Sequence, residues 1–119
     1  MTARGLTVLF CGSRDWRDEK PIQQAIGQLA DGAVVVHGGA RGADSIAARL
    51  ACRRGLAVKV YPASWGRYGR AAGVKRNQQM LDEERPDVVY AFRLAGSRGT
   101  SDMIDRARRA EVEVVVVER

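Results

Sequence analysis

The chain has 119 residues, and its 20 Lys plus Arg against 14 Asp plus Glu give a formal net charge of +6. With 45% hydrophobic and 29% charged residues it is too apolar for a disordered chain and long enough for one domain, residues 1–119, whose core needs neither disulfide nor metal. No apolar run approaches the ~20 residues of a spanning helix, and the opening MTARGLTVLFCGSRD is too short in apolar residues for a signal-peptide core, so a soluble, cytoplasmic protein without membrane contact is expected.

The predicted elements alternate along the chain. Leu6–Cys11 reads as a strand, and Ile22, Ala25, Ile26 and Leu29 then repeat at helical spacing. Ala33–His37 reads as a second strand, followed by a helix with Ala43, Ile46, Ala47, Leu50 and Ala51 on one side and Arg49, Arg53 and Arg54 on the wet side. Ala57–Tyr61 is a third strand, and a long connection over Pro62–Arg70 leads to a helix from about Ala71 to Glu84, closed by Pro86. Val88–Phe92 is the fourth strand. A helix over about Thr100–Arg109 follows, with Met103, Ala107 and Ala110 inward, Asp102 and Asp105 early and arginines late, and Val112–Val117 is the last strand. The strands are short, β-branched and continuously apolar, as strands buried on both faces should be.

This βαβαβαβαβ order predicts an α/β, Rossmann-like doubly wound domain, with a five-stranded mainly parallel sheet in the order 3-2-1-4-5 and helices on both faces. A ligand crevice would open at the carboxyl ends of strands 1 and 4. Cys11 and Cys52 lack metal-ligand spacing and are expected to be buried, reduced thiols.

Unusual residues collect in the loops that border such a crevice. Gly12-Ser13-Arg14-Asp15-Trp16 follows strand 1, Gly38-Gly39-Ala40-Arg41-Gly42-Ala43-Asp44 follows strand 2 and enters a helix, and Gly96-Ser97-Arg98-Gly99-Thr100 follows strand 4 and enters another. Glycine permits close approach and positive φ, and free amides at a helix start attract anions, so the three loops together suggest a phosphate cradle. They match neither the dinucleotide fingerprint nor the Walker loop, which leaves NAD and Walker-type ATP binding unsupported. The connection Pro62–Asn77 adds Trp65, Arg67, Tyr68, Arg70, Lys75 and Arg76 and no acid. Arginine matches phosphate bidentately, and an indole can stack on a base. Trp65 could equally cap the core edge, and Arg67 and Arg70 could form a solvated face.

The runs GSRDW, VVHGGARGADSIAARLA, YPASWGRYGRAAGVKRNQQML and GSRGTSDMIDRA, in that order, resemble the small YspA/YpsA-related family of the SLOG superfamily. The similarity runs from about Val8 to Arg109. It implies a Rossmann-like domain that binds a nucleotide or nucleotide-derived ligand, with no cofactor required, and a homo-oligomer. Relatives include cytokinin-activating phosphoribohydrolases, the DNA-processing protein DprA and proposed nucleotide sensors of bacterial and phage conflict systems. The resemblance assigns Gly12 and Ser13 to a first phosphate loop, Gly38, Gly39, Gly42 and Asp44 to a second, Arg76 and Asn77 to an arginine-bearing helix motif, and Gly96, Gly99 and Thr100 to a third loop.

The phosphoribohydrolase loop continues G-G-x-G-T-x-x-E; here Ser97 replaces its second glycine and Met103 its glutamate. A thioether cannot serve as a proton acceptor, so that apparatus is incomplete. The weak catalytic candidates are Asp102 and Asp44, either of which could simply favour a helix start. Thr100 could be an N-cap, and His37 a packed ring or a base.

Three readings follow. The first is a binding module for a nucleotide or phosphoribosyl-bearing molecule, with Arg14, Arg76 and Arg98 on phosphate and Trp16 or Trp65 near a base. The second is a phosphoribohydrolase or N-glycosidase using Asp102 or Asp44. The third, motivated by the positive charge, is nucleic-acid binding.

Overall fold

In the computed structural model, which describes residues 6–119, β1 (Thr7–Gly12), β2 (Val34–His37), β3 (Ala57–Val60), β4 (Val88–Arg93) and β5 (Glu113–Glu118) form one parallel sheet in the order β3-β2-β1-β4-β5. This is the expected order. Residues 1–5, on which part of the signal-peptide argument rests, lie outside the described residues. No helix of the described residues is long and apolar enough to cross a membrane.

The helices are α1 (Glu19–Gln28), α2 (Ala43–Arg53), α3 (Trp65–Tyr68), α4 (Ala72–Glu84) and α5 (Arg98–Arg109), with a 3-10 turn at Gly69–Ala71. The period-2 alternation of β1 divides the core. Val8 and Phe10 face α1 and α2 with Ile22, Ile26, Ala47 and Phe92, while Leu9 and Cys11 face α4 and α5 with Met80, Met103, Ile104 and Ala107. Register places Leu9 beside both Val36 and Val89, all three fully buried.

Local chemistry explains the helix ends. The Asp18 carboxylate accepts from the Lys20 amide at 3.2 Å and opens α1. Arg85, at φ +44°, closes α4 just before Pro86.

The structure corrects several expectations. Burial on both faces holds for the central strands only: β3 and β5 are the sheet edges and are mostly half-buried or exposed, with Val60 54% exposed. Cys11 is buried, but Cys52 is exposed on the outer side of α2. Ala110 is exposed because it stands at the α5 C-cap, and Ile104 fills the inward role instead. Arg54 leaves the wet side: half-buried, it donates to the Ile26 carbonyl at the end of α1. The connection after β3 is ordered by a single helical turn, since the Ser64 carbonyl accepts from the amides of Arg67 and Tyr68 at 3.1 and 3.0 Å.

Candidate functional site

Parallel strands deliver every βα loop to one edge, and there the chain encloses a cleft of about 610 Å³. It lies at the carboxyl ends of β1 and β4, as the sheet order requires. The β1–α1 loop, the first turn of α4 and the β4–α5 loop form its walls, and Cys11, Asp44 and Met80 line it from the sheet and helix side. The volume falls within the range of small-molecule sites.

Among the described residues, four arginines line this volume, Arg14, Arg70, Arg76 and Arg98, accompanied by two acids, Asp15 and Asp44. Asp15 is exposed and 3.6 Å from Arg41.

Ser13 ties the walls together. Its amide donates to the Phe92 carbonyl at 2.9 Å, and its hydroxyl accepts from the Leu94 amide at 2.8 Å, fixing the β1–α1 loop to the start of the β4–α5 loop. Gly12 and Gly42 are close-approach residues. A Cβ on Gly12 would lie 2.5 Å from the Ala43 Cβ, and one on Gly42, at φ +79°, would lie 2.4 Å from the Ser13 carbonyl oxygen.

The second glycine loop differs from the cradle expected of it. The Gly38 amide donates to the Asp44 carboxylate at 2.8 Å, and the Gly39 amide donates to His37 Nδ1 at 3.0 Å. Those amides are spent inside the protein, and of the assigned residues of this loop only Asp44 lines the cleft. His37 is buried, outside the cleft lining, and burial followed by the nearby Arg76 charge pushes its pKa down. It is a packed neutral ring rather than a base facing the ligand space.

Arg76 crosses from α4 to this loop. Its Nη1 donates to the Gly38 carbonyl at 2.5 Å and its Nε to Asn77 Oδ1 at 3.1 Å. A Cβ on Gly38 would collide with the guanidinium at 2.3 Å, so glycine there makes room for the arginine. Burial lowers the pKa of Arg76, with Asp44 opposing the shift. Burial likewise lifts Asp44 to about 6, against the hydrogen bond from Gly38 and the charge of Arg76. Burial raises the Cys11 thiol as well, so it is not a reactive thiolate.

The β4–α5 loop presents a helix start. Helix α5 begins at Arg98, two residues before the expected Thr100, and Ser97 occupies the N-cap without a side-chain cap bond. The first intrahelical bond runs from the Ser101 amide to the Ser97 carbonyl at 3.2 Å. The amides of Arg98, Gly99 and Thr100 therefore have no intrahelical acceptor, and all three residues line the cleft. Thr100 is not the cap; its hydroxyl accepts from Ser97 Oγ at 2.8 Å. Gly96, at φ +79°, makes the turn into this loop.

Two further candidates leave the site. Trp16 is only 2% exposed and packs edge-on against Phe92 in the core, its Nε1 donating to the Asp18 carbonyl at 2.6 Å, so it offers no stacking face to a ligand. Asp102 does not line the cleft: in the second turn of α5, it is ion-paired with Arg106 at 2.8 Å and accepts from Asn77 Nδ2 at 3.1 Å. Met103 is fully buried among core residues, so the position matching the hydrolase glutamate faces protein rather than ligand.

Trp65 does reach the cleft, 48% exposed, with the Arg14 guanidinium 5.2 Å from its ring centre. Arg70 lines the cleft, whereas Arg67 lies outside it and stacks with Tyr68 at 5.2 Å. Sequence reasoning missed Gly73 and Val74, which contribute the first turn of α4 to the wall. Their signal was the acid-free helix start itself, which falls beside Trp65: a Cβ on Gly73 would sit 3.4 Å from that ring.

Three comparisons with known proteins bear on this arrangement. Residues 6–68 match the YspA, cpYpsA-related SLOG family (YAcAr). The chain is 41% identical over 120 residues to the Gene 61 protein of Mycobacterium phage D29, with 91% of this chain and 93% of that protein covered. Among solved structures it is similar to the DNA processing protein A (DprA) of Streptococcus pneumoniae, with a TM-score of 0.59, 18% identity and 93% of this chain covered. The chain spans 58% of the DprA chain, and at this identity the likeness shows the fold alone. With the family match extending over more than half of its length and the phage relative over nearly all of it, the chain belongs to the YspA, cpYpsA-related SLOG family.

Proposed function

We propose that this protein binds a small nucleotide or nucleotide-derived, phosphate-bearing molecule in the cleft at the carboxyl edge of its sheet. One observation carries the reading: the start of α5, with its uncapped amides, and the residues Arg70, Arg76 and Arg98 line the same volume of about 610 Å³. Helix-start amides and arginine forks are complementary to phosphate oxygens, and their convergence gives a charged ligand both orientation and affinity. The polar arms of Ser97 and Thr100 lie at the same helix start. No cofactor is required by this reading, and a cytoplasmic location suits a ligand of this kind.

The hydrolytic alternative now rests on Asp44 alone, the one buried carboxylate that lines the cleft with a raised pKa. Nucleic-acid binding draws support from the exposed cations near the cleft mouth and from the likeness in fold to a protein named for DNA processing. Both rank below the binding module.

A thermal-shift panel of nucleoside mono-, di- and triphosphates and ADP-ribose tests the proposal. A ligand at 100 times its Kd stabilises by about 2.7 kcal/mol, a rise of several degrees for a domain of this size. Arg98→Ala, at an exposed position, should lose most of that rise without changing the melting temperature of the free protein. A panel without any shift would remove the reading.

A further inference from the structure

We infer that Arg14 and Trp65 form a clamp that selects for a planar heteroaromatic base, the base entering between the guanidinium and the indole. The inference rests on the phosphate-binding reading above and assigns the other end of the ligand.

The two residues come from different walls. Arg14 belongs to the β1–α1 loop and Trp65 to the first residue of α3, and the 5.2 Å contact between them spans the mouth of the cleft. Of the exposed large hydrophobic side chains among the described residues, Leu6, Val60, Trp65 and Tyr68, only Trp65 lines the cleft. Exposing half an indole there wastes apolar surface unless something covers it. The Arg14 guanidinium lies over this ring and makes no hydrogen bond or ion pair with any described residue. No hydrogen bond or ion pair to a described residue anchors the guanidinium, so the long, exposed side chain of Arg14 can lift by the thickness of one base.

Stacking on an aromatic side chain is stronger than an exposed cation–π contact, so an inserted base exchanges the weaker contact for two faces of its own. Trp16, the other indole, is fixed in the core and does not compete for this role. The clamp also gives Arg14 a different part from the one expected of it: it would hold the base rather than the phosphate, leaving Arg76, Arg98 and the start of α5 to the anion.

The experiment compares AMP with ribose 5-phosphate, which share the phosphate and differ by the base. Affinities are measured by titration calorimetry at ~150 mM salt, where distant charges are screened, for the wild type, Trp65→Leu and Arg14→Met. Both positions are exposed, so neither change threatens the core. The clamp predicts AMP binding at least roughly tenfold tighter than ribose 5-phosphate in the wild type. Each substitution should bring the two ligands to within about twofold of each other while ribose 5-phosphate keeps its wild-type affinity. AMP should also quench tryptophan emission in the wild type but not in Trp65→Leu, where only Trp16 remains.

A wild-type preference that survives Trp65→Leu overturns the clamp, as does equal affinity for both ligands in the wild type. Arg14→Met weakening both ligands equally returns Arg14 to the phosphate, and Arg14→Met tightening AMP shows that it merely competes for the indole; either result overturns the clamp and leaves the phosphate site standing. If neither ligand binds the wild type the clamp falls, and the proposed function falls with it only when the nucleotide panel also gives no shift.

Discussion

Asp44 turns the cleft floor into a pH experiment. Burial lifts its carboxyl from the ordinary 3.8 to about 6, so between those values the folded protein holds a proton that the unfolded chain has released. The contribution of this group to stability is therefore fully present below about pH 3.8, falls as the pH rises through about 6, and stays lost above it. At about 1.4 kcal/mol per pH unit the gap amounts to about 3 kcal/mol. Asp44→Asn removes the titration. The amide oxygen can still accept from the Gly38 amide, so that hydrogen bond contributes at both pH values. Urea unfolding of both proteins at pH 4.5 and 7.5 isolates the effect as a difference of differences. The wild type should lose about 2 kcal/mol relative to the variant over that interval, because part of the change falls below pH 4.5. Parallel pH dependences, or a variant that loses stability relative to the wild type on going to pH 7.5, would refute the assignment of a buried, proton-holding carboxyl.

Other consequences concern the loops and the core. Gly42→Ala must adopt φ +79° and press its Cβ to 2.4 Å from a backbone oxygen, whereas Gly55→Ala, at φ +81°, meets nothing within 4 Å. The second should cost about 1–2 kcal/mol, the backbone term alone, and the first at least about 2 kcal/mol more; equal costs in denaturant unfolding would deny the close approach of the two loops. Met103→Glu would place a carboxyl in the sealed layer between the sheet and α5, lowering stability by about 3 kcal/mol or more without conferring hydrolysis of nucleoside monophosphates. A stable variant that releases free base would show that position 103 faces the ligand after all.

The architecture was legible because it depends on patterns that burial enforces. Continuous apolar runs and helical repeats of residues such as Ile22 and Ala47 fixed the element order, and short right-handed connections left few sheet orders open. The edge strands were misread for a physical reason: Val58, Val60 and Val114–Val117 have the composition of central strands, and only their place at the ends of the sheet leaves them partly uncovered. The start of α5 shifted because Arg98 and Gly99 look like loop residues, yet a helix start needs only a free N-cap and tolerates both.

The site was legible by loop and less so by residue. Sequence order placed Gly12, Ser13, Asp44, Arg76 and the Gly96–Thr100 loop at one edge, and the structure brings them to one cleft. What a linear reading cannot supply is the direction of each polar group. The amides of Gly38 and Gly39 turn inward to Asp44 and His37, and Trp16 and Trp65, similar in sequence setting, take opposite environments because Phe92 and Asp18 receive the one while the cleft mouth exposes the other.

Calorimetric titration of the tightest nucleotide from the panel into the wild type and Arg76→Ala, at ~150 mM salt and with melting curves to verify folding, tests the central claim most directly. The account predicts binding that persists at that salt concentration and a loss of about 1.5–3 kcal/mol in the variant, the worth of a charge-assisted hydrogen bond to phosphate. Unchanged affinity in a folded Arg76→Ala protein, or binding by the wild type that vanishes at that ionic strength, would contradict it.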